Sequence, residues 1–219
     1  LARAGADVAV HYRSSAAAAQ DLARDVRQLG RSAETLPADL SRPEECRRLV
    51  RSALERLGRL DCLVHSAANF HRASLADTDE RLWDDAMNVN ARAGLLLARE
   101  AAAELTRREG RIVLISDLMA AEPPRNYLAH AVSKAASEGL VRALAVELAP
   151  HVTVNGIAPG AVLVPEGTSE EQSARYARKT LPRRLGDPTD VAQAVLFFCA
   201  GPSFITGQIL RVDGGQSIR

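Results

Sequence analysis

Short apolar runs alternate with amphipathic stretches along the whole chain, and this alternation limits the possible folds more than any other feature. Asp7–Tyr12, with Val8, Ala9 and Val10, reads as a buried strand. Ser14 or Ser15 then caps a helix to about Leu29, with Leu22, Val26 and Leu29 on one face. Glu34–Leu36 is a short strand stopped by Pro37. Ser41 caps the next helix, with Pro43 in its first turn, and Cys46, Leu49, Val50, Ala53, Leu54 and Leu57 recur at helical spacing. Further strands are predicted at Leu60–Ala67, Arg111–Ser116, Val152–Ile157 and Ile209–Val212. Helices are predicted at Asp79 to about Arg108, Asn126–Leu148, about Ser169–Lys179 and Asp187–Cys199, with an irregular loop over Ala158–Glu166. Strands alternating with helices imply βαβ units, hence a parallel sheet covered on both faces, in one α/β domain over 1–219. Leu1–Ala4 reads as the last turn of a helix stopped by Gly5. A single turn does not stand alone, so the expectation is that a strand, a turn and most of a helix precede it.

Composition excludes several function classes. The 28 basic and 27 acidic residues nearly cancel, leaving a formal charge of +1, without the clustered basic excess of a nucleic-acid binder. A chain that is 47% hydrophobic and 25% charged is not a disordered one. Cys46, Cys62 and Cys199 are too few and too scattered for a disulfide framework or a zinc site. No run reaches the roughly 18 apolar residues of a membrane span. The expectation is a cytoplasmic protein with a small-molecule partner, without metal, nucleic acid or membrane.

Parallel sheets bind ligands at the carboxyl ends of their strands. After the first strand come Tyr12-Arg13-Ser14-Ser15, a cation and two hydroxyls at a helix N-terminus, which suits an anion. In a dinucleotide fold the adenosine ribose lies there, and Arg13 suits the 2′-phosphate of NADP. The same residues also suit a plain helix cap beside a surface arginine. Asp39 can accept from an adenine amino group or serve as an ordinary turn residue. The third strand ends in His65-Ser66-Ala67-Ala68-Asn69-Phe70, whose small residues admit a flat ligand, while His65 reads as a structural histidine.

Taken in order, these motifs resemble the short-chain dehydrogenase/reductase family over essentially the whole chain. Asp39-Leu40 matches its adenine-contacting pair, and His65-Ser66-Ala67-Ala68 stands where it usually has Asn-Asn-Ala-Gly. Asn90 in Asn88-Val89-Asn90 matches its active-site asparagine, and Ser133-Lys134-Ala135-Ala136 surrounds its catalytic lysine. Val154–Gly160 matches the Pro-Gly turn on the nicotinamide side, and Ile205–Gln208 with Val212–Gly215 the C-terminal signature. The resemblance implies a Rossmann-like doubly wound sheet, NADP(H) as cofactor and a homotetramer built on the two long helices. It implies cofactor contacts at Arg13, Ser14, Asp39, Leu40, Ala67, Lys134, Pro159 and Gly160. The pteridine-reductase branch is the most similar. Asp117 stands where most members have a serine, Phe70 where that branch places a ring near the pterin, and Pro159–Glu166 and Tyr12-Arg13-Ser14 also resemble it. Asp117, Phe70 and Tyr127 are then substrate-pocket residues, and Asn90, Asp117, His130 and Lys134 catalytic.

Two departures shape the expected chemistry. The family's Gly-rich turn has no counterpart after Leu1, and its place is in the segment expected to precede that residue. The family's tyrosine, four residues before the lysine, is here His130. Residues four apart share a helix face, so His130 and Lys134 are expected in one site. A histidine titrates near neutrality, and a neighbouring ammonium disfavours its protonated form, so reductase activity is expected to rise toward acidic pH. Lys134 is one of two lysines in an arginine-rich chain, which favours a specific use. The leading expectation is an NADPH-dependent pterin reductase. The alternatives are another short-chain reductase acting on a ketone or acyl substrate, or a non-catalytic paralogue that binds nucleotide or a partner.

Overall fold

In the computed structural model, which describes residues 1–163 and 167–219, strands and helices alternate in the expected order. The elements are β1 (Val8–Tyr12), α1 (Ala16–Gln28), β2 (Ala33–Pro37), α2 (Pro43–Leu57), β3 (Cys62–His65), α3 (Glu80–Met87), α4 (Ala93–Arg107) and β4 (Arg111–Ile115). They continue with α5 (Leu128–Glu147), β5 (Thr153–Pro159), α6 (Glu170–Ala177), α7 (Pro188–Ala200) and β6 (Ile209–Val212). A 3-10 turn at Ala2–Ala4 ends at Gly5, whose φ of 95° is left-handed, as the opening residues suggest.

Among the described residues all strand pairing is parallel, but the strands form two sheets rather than one. β1 pairs with β2, while β3, β4, β5 and β6 pair in that order. Among the described residues no ladder joins β1 to β3. The main core lies between the larger sheet and α2, α4 and α5, where Leu105, Ile112, Leu114, Val141 and Val154 are fully buried. On the other face, Phe198 and Ala194 of α7 pack on Val113 and Ile157.

The differences from sequence expectation have local causes. Leu22 and Leu29 are half-exposed, and α1 instead buries Ala19, Ala23 and Val26. This helix covers the two-stranded sheet, and small residues let it lie close to Val8 and Ala33. Pro37 does not stop β2 but ends it, opposite Tyr12, on an edge strand where a missing N–H is tolerated. Ser15 occupies the N-cap of α1 and Arg42 that of α2, yet neither makes a side-chain cap bond. The Ser41 hydroxyl, expected to cap α2, donates to Asp39 instead. β5 runs on to Pro159, through residues expected to be loop. The long helix from 80 to 107 is interrupted by a π-helical turn at Asn88–Arg92. Such turns are frequent at functional sites, and this one carries Asn90.

Candidate active site

The ends of β1, β2 and β3 meet at a cavity of about 310 Å³. Its wall includes Arg13, Ser14, Ser15, Asp39, Ala67 and Asn69, and Leu40, itself buried, contributes as well. Among the described residues, Arg13 forms no ion pair and the Ser14 and Ser15 hydroxyls form no hydrogen bond. These groups surround the start of α1, whose first amides lack intrahelical acceptors. An unused cation, two unused hydroxyls and a helix N-terminus at one cavity fit the phosphate-bearing end of a nucleotide. Asp39 fits its base. Its Oδ1 accepts from the Ser41 amide (2.9 Å) and hydroxyl (2.7 Å). Those bonds, with lesser help from the Arg13 and Arg42 charges, hold the carboxyl below its usual value, leaving Oδ2 as an anionic acceptor.

The second cluster forms where β4 meets α5. Lys134 is buried at 3% exposure, and its Nζ donates to the Ile115 carbonyl (2.7 Å). Burial brings its ammonium down from 10.5 to about 8, against a smaller opposing effect from the Asp117 charge. Burial, with the Lys134 charge second, also brings His65 down to about 4. His65 is therefore neutral at pH 7, and its buried Nε2 has no partner. Asp117 caps a short 3-10 turn by accepting from the Met119 amide at Oδ1 (2.8 Å). Its Oδ2 lies 3.3 Å from His130 Nε2. The group facing the His130 ring nitrogen is therefore the Asp117 carboxyl. The ammonium that helix spacing suggested as its neighbour bonds to a main-chain carbonyl instead.

Asn90 is 1% exposed, and its amide makes three hydrogen bonds within the protein. Its Oδ1 accepts from the Asn69 amide (2.7 Å), and its Nδ2 donates to the Asn69 carbonyl (3.0 Å) and Ser133 Oγ (2.9 Å). The same Asn69 carbonyl lies 3.0 Å from His130 Nδ1. Asn90 thus holds other groups in place. The half-exposed Phe70 ring stands edge-on to His130 at 4.6 Å and tilted against Tyr127 at 5.0 Å. Pro159 ends β5, the next strand over from β4, and Gly160 follows it. A Cβ on Gly160 would lie 2.8 Å from Asp213 Cα, so close main-chain approach requires a glycine there. The Val164, Pro165 and Glu166 part of the pterin-like segment lies outside the described residues.

Sequence reasoning missed Asn69 and Asp85 as site residues. The Asn69 side chain donates to Asp85 Oδ2 (2.6 Å), which also receives His71 Nε2 (3.0 Å). No spacing rule links 69, 85, 90 and 130, and only the packing of α3 and α5 against the loop after β3 brings them together.

The chain is similar to known proteins over almost its whole length. A family model described as enoyl-(acyl carrier protein) reductase matches residues 1–217. The chain is 36% identical to short-chain dehydrogenase/reductase FrzI of Cladobotryum sp, over 98% of this chain and 88% of that one. The crystal structure of acetoin dehydrogenase from Enterobacter cloacae superposes with a TM-score of 0.90 at 31% identity, covering 99% of this chain and 88% of that one. A blue fluorescent protein from a metagenomic library, solved in complex with NADPH, gives a TM-score of 0.91 at 31% identity, covering 99% and 90%.

Proposed function

This chain belongs to the short-chain dehydrogenase/reductase family of oxidoreductases, and we propose that it is an NADP(H)-dependent reductase acting on a pterin or dihydropterin-like ring. The cofactor is NADP(H). Arg13 and Ser14 hold its 2′-phosphate, Asp39 and Leu40 its adenine, Ala67 leaves room for it, and Pro159 and Gly160 face the nicotinamide side. A relative of similar fold binds NADPH, which supports this choice. Lys134 binds the nicotinamide ribose, giving its buried ammonium acceptors that the protein alone does not supply. When bound, the cofactor supplies a hydride. Asn90 keeps the helix in register, Asp117 orients the substrate and assists its protonation, Phe70 covers the ring, Tyr127 lines the pocket, and His130 carries a proton.

The observation that carries the pterin reading is the pairing of a carboxylate with an open aromatic ring. Asp117, 26% exposed, stands beside His130, with the Phe70 ring against the same imidazole. A carboxylate can pair with the amino-pyrimidine edge of a pterin, whereas a ketone calls for a neutral hydroxyl donor. The acetoin dehydrogenase neighbour favours a second reading, a small ketone substrate. NADPH oxidation measured side by side with dihydropterin, dihydrofolate and acetoin-like ketones tests both. Turnover of the ketone alone rejects the pterin reading, and turnover of neither class with NADPH still bound rejects both.

The cytoplasm suits three free thiols, and no described helix is long and apolar enough to cross a membrane. A homotetramer would cover Leu95 of α4 and Leu128, Val132 and Val146 of α5, which are 40–76% exposed. A solution mass equal to one chain rejects that assembly.

A further inference from the structure

Hydrogen-bond accounting at Asp117 and His130 goes beyond naming them as site residues. A main-chain carbonyl has no proton to give, so the Asn69 oxygen 3.0 Å from Nδ1 requires the proton on Nδ1. A neutral imidazole with that tautomer presents a bare lone pair at Nε2. Nε2 faces Asp117 Oδ2 at 3.3 Å, and Oδ1 of the same carboxylate is occupied by the Met119 amide. Two acceptors left facing each other at 3.3 Å repel, so a proton belongs between Nε2 and Oδ2.

Exposure then decides which member meets a substrate. The His130 side chain is 2% exposed and packs against the Phe70 ring, while that of Asp117 is 26% exposed. We propose that Asp117 is the proton donor of this site and that His130 is its buried proton store, in a tautomer fixed by Asn69. Asn69 and Asp85 are positioning residues. Two Asn90 hydrogen bonds hold the Asn69 main chain, and Asp85 holds its side chain. This assignment rests on the reductase reading above. In the step, the bond from Oδ2 to hydrogen breaks and a new bond forms to the nitrogen or oxygen left electron-rich by hydride addition. A carboxylate and a neutral imidazole remain, and water returns the proton through the exposed carboxylate. Other titratable groups nearby are the Lys134 ammonium, directed to Ile115, Tyr127 on the same Phe70 ring, and Asp85 with His71 behind Asn69.

The test combines a spectrum with kinetics on the full chain. Nitrogen-15 spectra of histidine-labelled protein, without cofactor, are expected to show His130 with a protonated Nδ1, both in the wild type and in Asp117→Asn. The Nε2 signal should move in that variant. A bare Nδ1 with the proton on Nε2 overturns the proposal. With dihydropterin, Asp117→Asn should lower kcat by about 10²–10⁴-fold at every pH. His130→Asn should lose less and recover toward acidic pH, where water can protonate Asp117 directly. Recovery of Asp117→Asn in acid while His130→Asn stays inactive reverses the two roles and overturns the assignment. A wild type with the protonated Nδ1 but no turnover of any substrate overturns the reductase reading and the donor role, and leaves the shared proton standing. Asp85→Asn should change the His130 spectrum and kcat more than KM. An unchanged spectrum removes Asp85 from the positioning set.

Discussion

Lys134 carries a stability penalty because its ammonium is buried. Burial lowers its ammonium from 10.5 to about 8. A fall of about 2.5 pH units at about 1.4 kcal/mol each disfavours the folded state by about 3 kcal/mol at pH 7. Replacing it with methionine removes that penalty but leaves the Ile115 carbonyl without its donor, which costs about 1 kcal/mol. Lys134→Met should therefore be about 2 kcal/mol more stable than the wild type at pH 7, or roughly 4–8 °C in Tm for a chain of this size, while losing turnover. The sign has a definite pH signature. Between about 8 and 10.5 the unfolded chain holds the lysine proton more firmly than the folded one, so wild-type stability rises with pH. The advantage of the variant should be full below about 8, shrink through that window, and become a deficit of about 1 kcal/mol above it. Denaturant unfolding of both proteins without cofactor, at pH 7 and near pH 10.5, measures this. A variant no more stable at pH 7, or an advantage independent of pH, refutes the buried-ammonium account.

Three further outcomes follow from the same structure. His65, lowered from 6.5 to about 4, supports the fold fully above 6.5 and loses that support as pH falls toward 4, at most about 3 kcal/mol. His65→Leu should flatten this acid loss in unfolding midpoints at pH 7 and 4.5, and an unchanged slope rejects the assignment. Arg13→Glu places a carboxylate where a 2′-phosphate is expected and should weaken NADPH binding by about 10–100-fold relative to NADH, read by titration; an unchanged preference removes Arg13 from the cofactor site. In Gly160→Ala the new Cβ meets main chain at Asp213 (2.8 Å), whereas in Gly156→Ala it meets the side-chain tip of Ile209 (2.5 Å), which can rotate away. Unfolding should show a loss of about 2–3 kcal/mol at 160 and nearer about 1 at 156, and the reverse order contradicts the packing argument.

The elements were legible in the sequence because their signals are local. Asp187 and Pro188 open α7, as the sequence predicts, and the structure adds Asp190 to complete a capping box. β6 falls at Ile209–Val212, and the buried face of α2 repeats Cys46, Val50 and Ala53. Where a side chain had two possible partners, local pattern did not choose between them. Ser41 bonds to Asp39 rather than to its helix, and α1 buries alanines rather than leucines, because of what lies against each of them.

The sequence by itself determined the order of strands and helices, the parallel pairing and the residue types gathered at the strand ends. Periodicity, caps and chain connectivity act over a few residues and survive without knowledge of neighbours. Only the tertiary structure decided which charges face each other. Asp117 and His130 are thirteen residues apart, on a strand end and a helix, and packing sets their nitrogen–oxygen distance. The π-helical turn that aims Asn90 at Asn69 depends equally on partners far along the chain. Hydrogen bonds and desolvation are decided at ångström range, and sequence spacing does not specify ångström distances between separate elements.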